Sequence, residues 1–282
     1  MKGSVFAQTY GSQGLAKWEE AAMALAHAGE IYPWSVSDVV MTDAMGRKLT
    51  ISVTDDYFAI GEEGDVLRLP LTPKAAQRIA DATGMLLPTT KMVREIHRQA
   101  VNKPAPHPLI PNNGAVMSQY VAHNAVIEEL LAGKGGLTSG VKKDIVVGDA
   151  IKPGKVVIYG WGRQDNPPAD DPHLYMDAPW RVQPYSSVHG DFYVDYSHGV
   201  RLVSPKASLD GIEVDLRDLL KDPTTANLAS DEGVLLPEKM RYPAPQTAAT
   251  KVPWYKTTSL RRRLVDLGRD TAIEHFNARK TG

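Results

Sequence analysis

Residues 183–203 carry a density of metal-binding, proton-moving and anion-holding groups found nowhere else in the chain. They include His189, His198, Asp191, Asp195, Ser186, Ser187, Ser197 and Arg201, set among tyrosines and glycines. Three chemistries suit these types at these spacings. His189, Asp195 and His198 supply two imidazoles and a carboxylate, the donor set of hydrolytic zinc centres. Such centres leave a fourth position for a water whose pKa falls to about 7. The expected cofactor is thus zinc or another divalent metal. Without a metal, Ser187 or Ser197 is a candidate nucleophile, with His189 or His198 as its base and an aspartate orienting the ring. No Gly-x-Ser-x-Gly elbow accompanies them. In the third chemistry Arg201, Lys142 and Lys143 hold a carboxylate or phosphate without reacting. The same residue types also suit a hydrogen-bond network that ties two strands together.

The elements that would position these groups are short. Residues 192–196 alternate as a strand does, with Tyr193, Asp195 and then Ser197 on one face and Phe192, Val194 and Tyr196 on the other. Gly199 turns the chain into a second strand over 200–203, which leaves His198 at the bend. Lys142-Lys143-Asp144 leads into Ile145-Val146-Val147, and 155–159 follows the turn at Pro153-Gly154; both β-branched runs read as buried strands. Residues 164–179, with His173, read as a long loop beside the site.

Around this centre, residues 1–14 read as an irregular arm and 15–28 as a helix stopped by Gly29. Residues 34–70 read as a small antiparallel meander. Helices follow at 73–83, capped by Thr72 with Pro73 at its first position, at 91–100 and at 117–131. His97 falls at the boundary of the apolar face of its helix. The four prolines of 102–113 mark a linker and an internal boundary. Gly133-Lys134-Gly135-Gly136 lacks the Gly-Lys-Ser/Thr ending of a phosphate loop and reads as a helix exit. Short helices are expected at 214–221 and up to Ser230, then a Pro- and aromatic-rich wrap over 232–256. A last helix over 259–276 opens with Arg261-Arg262-Arg263. The fold class expected is α+β, mainly antiparallel sheet with peripheral helices and Pro-rich wrapping segments. Its three stretches are 1–101, 114–231 with the candidate site, and 232–282, which can form one domain.

Composition excludes several functions. Of the 282 residues, 32 are Lys or Arg and 33 are Asp or Glu, a formal net charge of -1 that gives no whole-protein field for nucleic acid. The absence of cysteine removes disulfides, thiolate nucleophiles, Cys-bound zinc and iron–sulfur clusters. No run of 18 apolar residues predicts a membrane span, and the first residues lack the apolar core of a signal peptide. The expectation is a cytoplasmic or phage-associated protein with no nucleotide cofactor and no nucleic-acid or membrane partner.

Over Val194-Asp195-Tyr196-Ser197-His198-Gly199-Val200-Arg201-Leu202, the chain resembles a family of uncharacterised bacterial and phage-associated proteins. Blocks such as Lys142-Lys143-Asp144-Ile145-Val146-Val147, Val157-Ile158-Tyr159-Gly160-Trp161 and Gln183-Pro184 extend that resemblance over residues 48–204. A second, partial resemblance is to zinc peptidases of the bacterial cell wall, with the pattern Ser-x-His-x-x-Gly-x-x-x-Asp. Ser187, His189 and Asp195 match in kind, with the aspartate one residue early, the glycine displaced to Gly190 and no Glu-x-x-His pair following.

The reading that joins these features is a hydrolase of a bacterial polymer such as peptidoglycan or polysaccharide. His189, Asp195 and His198 would bind metal or perform acid–base chemistry, with Ser197 in the catalytic set. Lys142, Lys143, Tyr193, Arg201 and Trp161 would hold substrate. Two alternatives are a carbohydrate- or peptide-binding module using Trp161, Trp180 and Tyr185, and a structural component of a phage or other assembly. A homo-oligomer or larger assembly fits either one.

Overall fold

A computed structural model of the chain describes residues 1–32, 35–109, 115–162 and 181–244. Its first element is a helix, α1 (Gly3–Tyr10), where sequence composition predicts an irregular arm. The Gly, Ser and Gln content hides an i, i+4 aromatic pair. Phe6 is fully buried, with its ring centroid 5.0 Å from that of Tyr10. Helix α2 (Leu15–Ala28) follows, closed by Gly29 in the left-handed region. Strands β1 (Val36–Thr42) and β2 (Lys48–Thr54) pair antiparallel, and a second hairpin joins β3 (Ala59–Glu62) to β4 (Asp65–Arg68). Next come α3 (Pro73–Thr83), α4 (Thr90–Gln99) and α5 (Met117–Leu131). The hydroxyls of Thr72 and Thr89 accept from the backbone N–H of Ala75 and Met92 and so cap α3 and α4. Strands β5 (Lys143–Ile145), β6 (Ile158–Gly162), β7 (Arg181–Ser186), β8 (His198–Gly199), β9 (Val203–Leu209) and β10 (Ile212–Asp215) lead to α6 (Leu216–Lys221).

The architecture is α+β with antiparallel pairing dominant. One sheet has the order β1-β2-β9-β10, another the order β7-β6-β5-β8, and β3 and β4 form a two-stranded sheet. The predicted meander over 34–70 is thus divided between two sheets, because β2 takes β9 as its second neighbour and β3 does not join it. One apolar cluster runs from Phe6 to Tyr242 and draws on all three stretches of the chain. A second joins β1, β2, β9, α4 and α6 through Val39, Ile51, Ile96, Val203 and Leu219.

Two local expectations are corrected. Residues 192–196 form no strand and lie instead in turns with local backbone bonds. The N–H of Tyr193 donates to Gly190 O at 3.0 Å, and the N–H of His198 donates to Asp195 O at 3.2 Å. The Asp195 carboxylate adds a local side-chain bond by accepting from the Ser197 N–H at 2.8 Å, and bonds of that kind compete with ladder pairing. Further on, Val214 lies in β10, and Asp215 caps α6 by accepting from the N–H of Arg217 at 2.7 Å. The expected loop over 164–179 with His173, Trp180, and the helix over 259–276 with its three arginines lie outside the described residues. No helix among the described residues is long and apolar enough to cross a membrane.

Candidate functional site

The site forms where β8 meets β5. The two strands run parallel, with Lys143 opposite His198 and Asp144 opposite Gly199, and the N–H of Lys143 donates to Ser197 O at 2.6 Å. Gly199 permits that approach. A Cβ there would lie 2.4 Å from Cδ1 of Tyr57 and 2.7 Å from Cβ of Lys142. The close backbone packing therefore requires glycine.

Asp195 is the hub. Its Oδ1 accepts from the Ser197 N–H at 2.8 Å and from the Ser197 hydroxyl at 2.5 Å. Its Oδ2 accepts from the Tyr193 hydroxyl at 3.0 Å and lies 3.5 Å from Nζ of Lys143. Burial pushes this carboxyl up, but His198, Lys143 and the two Ser197 donors together outweigh it and hold it well below the usual carboxylate range. Burial and the Asp195 carboxylate in turn push the Tyr193 phenol up to about 12, so it remains a proton donor. The Tyr193 ring packs against both imidazoles, stacked on His189 at 4.1 Å and edge-on to His198 at 5.7 Å.

The two histidines differ in environment. His189 is exposed on the turn. His198 is fully buried, and neither ring nitrogen has a hydrogen-bond partner among the described residues. Burial pushes its pKa down to about 4, with Lys143, His189 and Lys142 acting the same way against Asp195, so at neutral pH the ring is uncharged.

Behind this front lies a wholly buried layer. Lys142 has no exposed surface, and its Nζ donates to Tyr196 O at 2.6 Å. Burial and then Arg68 bring its pKa down to about 7. Arg201 is equally buried, donates to Thr54 O at 2.7 Å and Thr138 O at 2.5 Å, and stacks its guanidinium 4.2 Å from the Tyr57 ring. Its Nε stands 3.9 Å from Oδ1 of Asp144, too long for a hydrogen bond. Asp144 accepts from the Tyr57 hydroxyl at 3.2 Å, and burial raises it to about 7 against the pull of Arg201 and Tyr57. Lys142 and Arg201 therefore hold chain segments together from inside. The expectation that they meet substrate is corrected by their complete burial.

The metal set does not assemble. Among the described residues, no three of His, Asp and Glu converge closely enough to hold a metal ion. Both Asp195 oxygens are occupied by donors, and the two imidazoles pack against the Tyr193 ring. The serine reading is not assembled either. The Ser197 hydroxyl donates to Asp195 where a triad would have it donate to an imidazole, and the residue is 1% exposed. Ser187 is half-buried beside His189 in sequence. Trp161 belongs to β6, and its side chain lies outside the described residues. Tyr185 is half-buried, and its hydroxyl donates to Oε1 of Glu232 at 2.7 Å.

What the structure brings together from the expected set is His189, Tyr193, Asp195, Ser197, His198 and Lys143. It adds Tyr57 and Asp144, which sequence reasoning missed. Asp144 was adjacent to the lysine pair and so within reach of inspection. Tyr57 stands 85 positions from Lys142, whose carbonyl its hydroxyl approaches at 3.4 Å, and no local pattern points to it. Compared with protein families, with curated proteins and with solved structures, the chain matches none of them.

Proposed function

We propose that the protein is a hydrolase of a bacterial envelope polymer and that its site works by acid–base chemistry. The observation that carries this reading is the convergence on one carboxylate. Oδ2 of Asp195 holds the Tyr193 hydroxyl at 3.0 Å and the Lys143 ammonium at 3.5 Å, beside an exposed imidazole stacked on Tyr193. His189, the solvent-facing group, takes the proton from an attacking water as the water oxygen bonds to the electrophilic carbon. It then delivers that proton to the leaving group as the scissile bond breaks. Lys143 meets the negative charge that develops on the substrate. Asp195 positions Lys143 and accepts the Tyr193 hydroxyl, and its occupied lone pairs leave it no role as the base. The exposed turn suits a polymer, since His189 is not enclosed.

Incubating the purified protein with peptidoglycan sacculi and with wall polysaccharide, and measuring soluble fragments by mass spectrometry, tests the proposal. Fragments released in the presence of a chelator support it. No release from any polymer overturns it. A structural role for the same network is favoured by the self-contained Asp195 turn and the carbonyl-bound Lys142 and Arg201. It predicts loss of folding, without any turnover to lose, when Asp195 is replaced.

A further inference from the structure

The turn that carries His189 and Tyr193 is fastened to two parts of the fold. The N–H of Asp191 donates to Gly154 O at 2.9 Å and that of Val156 to His189 O at 3.2 Å, which ties the turn to residues 154–156. The second tie is ionic and reaches α3. Nζ of Lys74 meets Oδ2 of Asp191 at 2.6 Å and stands 5.4 Å from the Phe192 ring centroid. The two partners of this pair are unequal, since the Asp191 side chain is 5% exposed and that of Lys74 43%. Among the described residues Lys74 is the only cation paired with that carboxylate, and Oδ1 has no hydrogen-bond partner. Lys74 stands on a fixed base, because Thr72 caps α3 and the neighbouring Ala75 and Ala76 are buried in the core. The helix dipole disfavours a lysine in the first turn, and the bond to Asp191 offsets that cost.

We propose that Lys74 is a positioning residue of this site. Through Asp191 it holds His189 stacked on Tyr193, without itself touching substrate. Asp191 lies midway in the turn, two residues from each ring. A buried carboxylate stripped of its cation is strongly unfavourable, and turning out into water relieves it. Residue 191 cannot make that move without carrying its neighbours. The stack of the two rings, 4.1 Å apart and 13° from parallel, therefore opens with it. Among the described residues the His189 ring makes no side-chain hydrogen bond, so the stack is what orients it. Two exposed, mobile side chains would gain little from such a pair. Here one partner is buried and the other rises from a capped helix. The effect on turnover rests on the hydrolase reading, whereas the placement of the ring is measurable without it.

Proton NMR of the full chain, recorded beside cleavage kinetics and unfolding curves, tests this on Lys74→Met, Lys74→Arg and the double variant Lys74→Met/Asp191→Asn. Stacking on Tyr193 shifts the His189 ring protons upfield, and His189→Ala identifies their signals. Lys74→Met should stay folded and lose that upfield shift. Its kcat should fall about tenfold or more while KM changes less than about twofold. Lys74→Arg, which keeps a cation within reach of Asp191, should restore both. The double variant, which removes the unmet charge as well, should bring the shift back. An unchanged shift in Lys74→Met overturns the inference, as do a kcat equal to that of an active wild type, a double variant as displaced as the single one, or loss of folding in Lys74→Met. A wild type that cleaves nothing overturns the hydrolase reading, and the His189 shift then still decides whether Lys74 places the ring.

Discussion

The Tyr193 hydroxyl donates to Oδ2 of Asp195 at 3.0 Å while its ring lies stacked 4.1 Å from the His189 ring. One side chain therefore links the solvent-facing imidazole to the buried carboxylate. Tyr193→Phe keeps the stack and removes the donation. If that donation keeps Asp195, and through it Lys143, in place, kcat should fall about tenfold or more. Stability should change by only about 1 kcal/mol. Parallel measurement of turnover and urea unfolding checks both. A drop in stability with no change in kcat would confine the residue to packing.

Gly199 is held to its place by contact. Gly199→Ala puts a methyl 2.4 Å from Tyr57 and 2.7 Å from Lys142. The expected cost is about 3 kcal/mol, at the upper end for an overpacked interior. Chemical denaturation reads it directly, and the hydrogen bond from Tyr57 to Asp144 should be disturbed with it.

Arg201 satisfies two buried carbonyls and lies near Asp144. Arg201→Met should cost about 3–5 kcal/mol, because it leaves Thr54 O, Thr138 O and the Asp144 carboxyl without their cation. Arg201→Lys should rescue little, since an ammonium cannot span both carbonyls and stack on Tyr57. Unfolding curves of the two variants separate charge from geometry.

Acid should weaken the fold through its buried histidines. Burial depresses His198 to about 4, and burial with Lys142 and His107 depresses His123 to about 2. The unfolded chain binds these protons near pH 6.5, so it gains protons that the folded chain refuses. The stability contribution is full above about pH 6.5 and is lost as pH falls through the folded values. Asp195, held below its usual range, adds a further loss below about pH 4. Asp144, raised to about 7, takes up its proton first in the folded chain and opposes this loss, but two imidazoles outweigh one carboxyl, so melting temperature followed from pH 8 to pH 4 should decline from about 6.5 downward. His123→Phe, which keeps a ring against Tyr196, should flatten that slope.

The sequence makes most of the fold legible where local signals agree. Thr72-Pro73 and Gly84 bracket α3 as written, and the 3.6-residue periodicity of 117–131 becomes α5. It fails where tertiary contact decides. Phe6 makes α1 a helix by burying itself, and the alternation over 192–196 belongs to a turn that bonds to its own side chains. Residue density picked out side chains that do come together, namely His189, Tyr193, Asp195, His198 and Lys143. Density could not tell a metal centre from a hydrogen-bonded network. That distinction depends on which lone pairs are taken, and Ser197 and Tyr193 take those of Asp195. Nor could it tell that Arg201 and Lys142 face inward, because burial of a charge follows from partners such as Thr54, Thr138 and Tyr196 that lie elsewhere in the chain.

The most direct measurement is polymer cleavage by His189→Ala beside the wild type, with unfolding curves recorded on both. His189 is exposed, so its removal should leave the fold intact. The account predicts that the wild type releases fragments and that the variant, equally stable, releases them at least about a hundredfold more slowly, the lower end of the range for loss of an acid–base group. Equal rates, or a wild type that cleaves nothing, would contradict it.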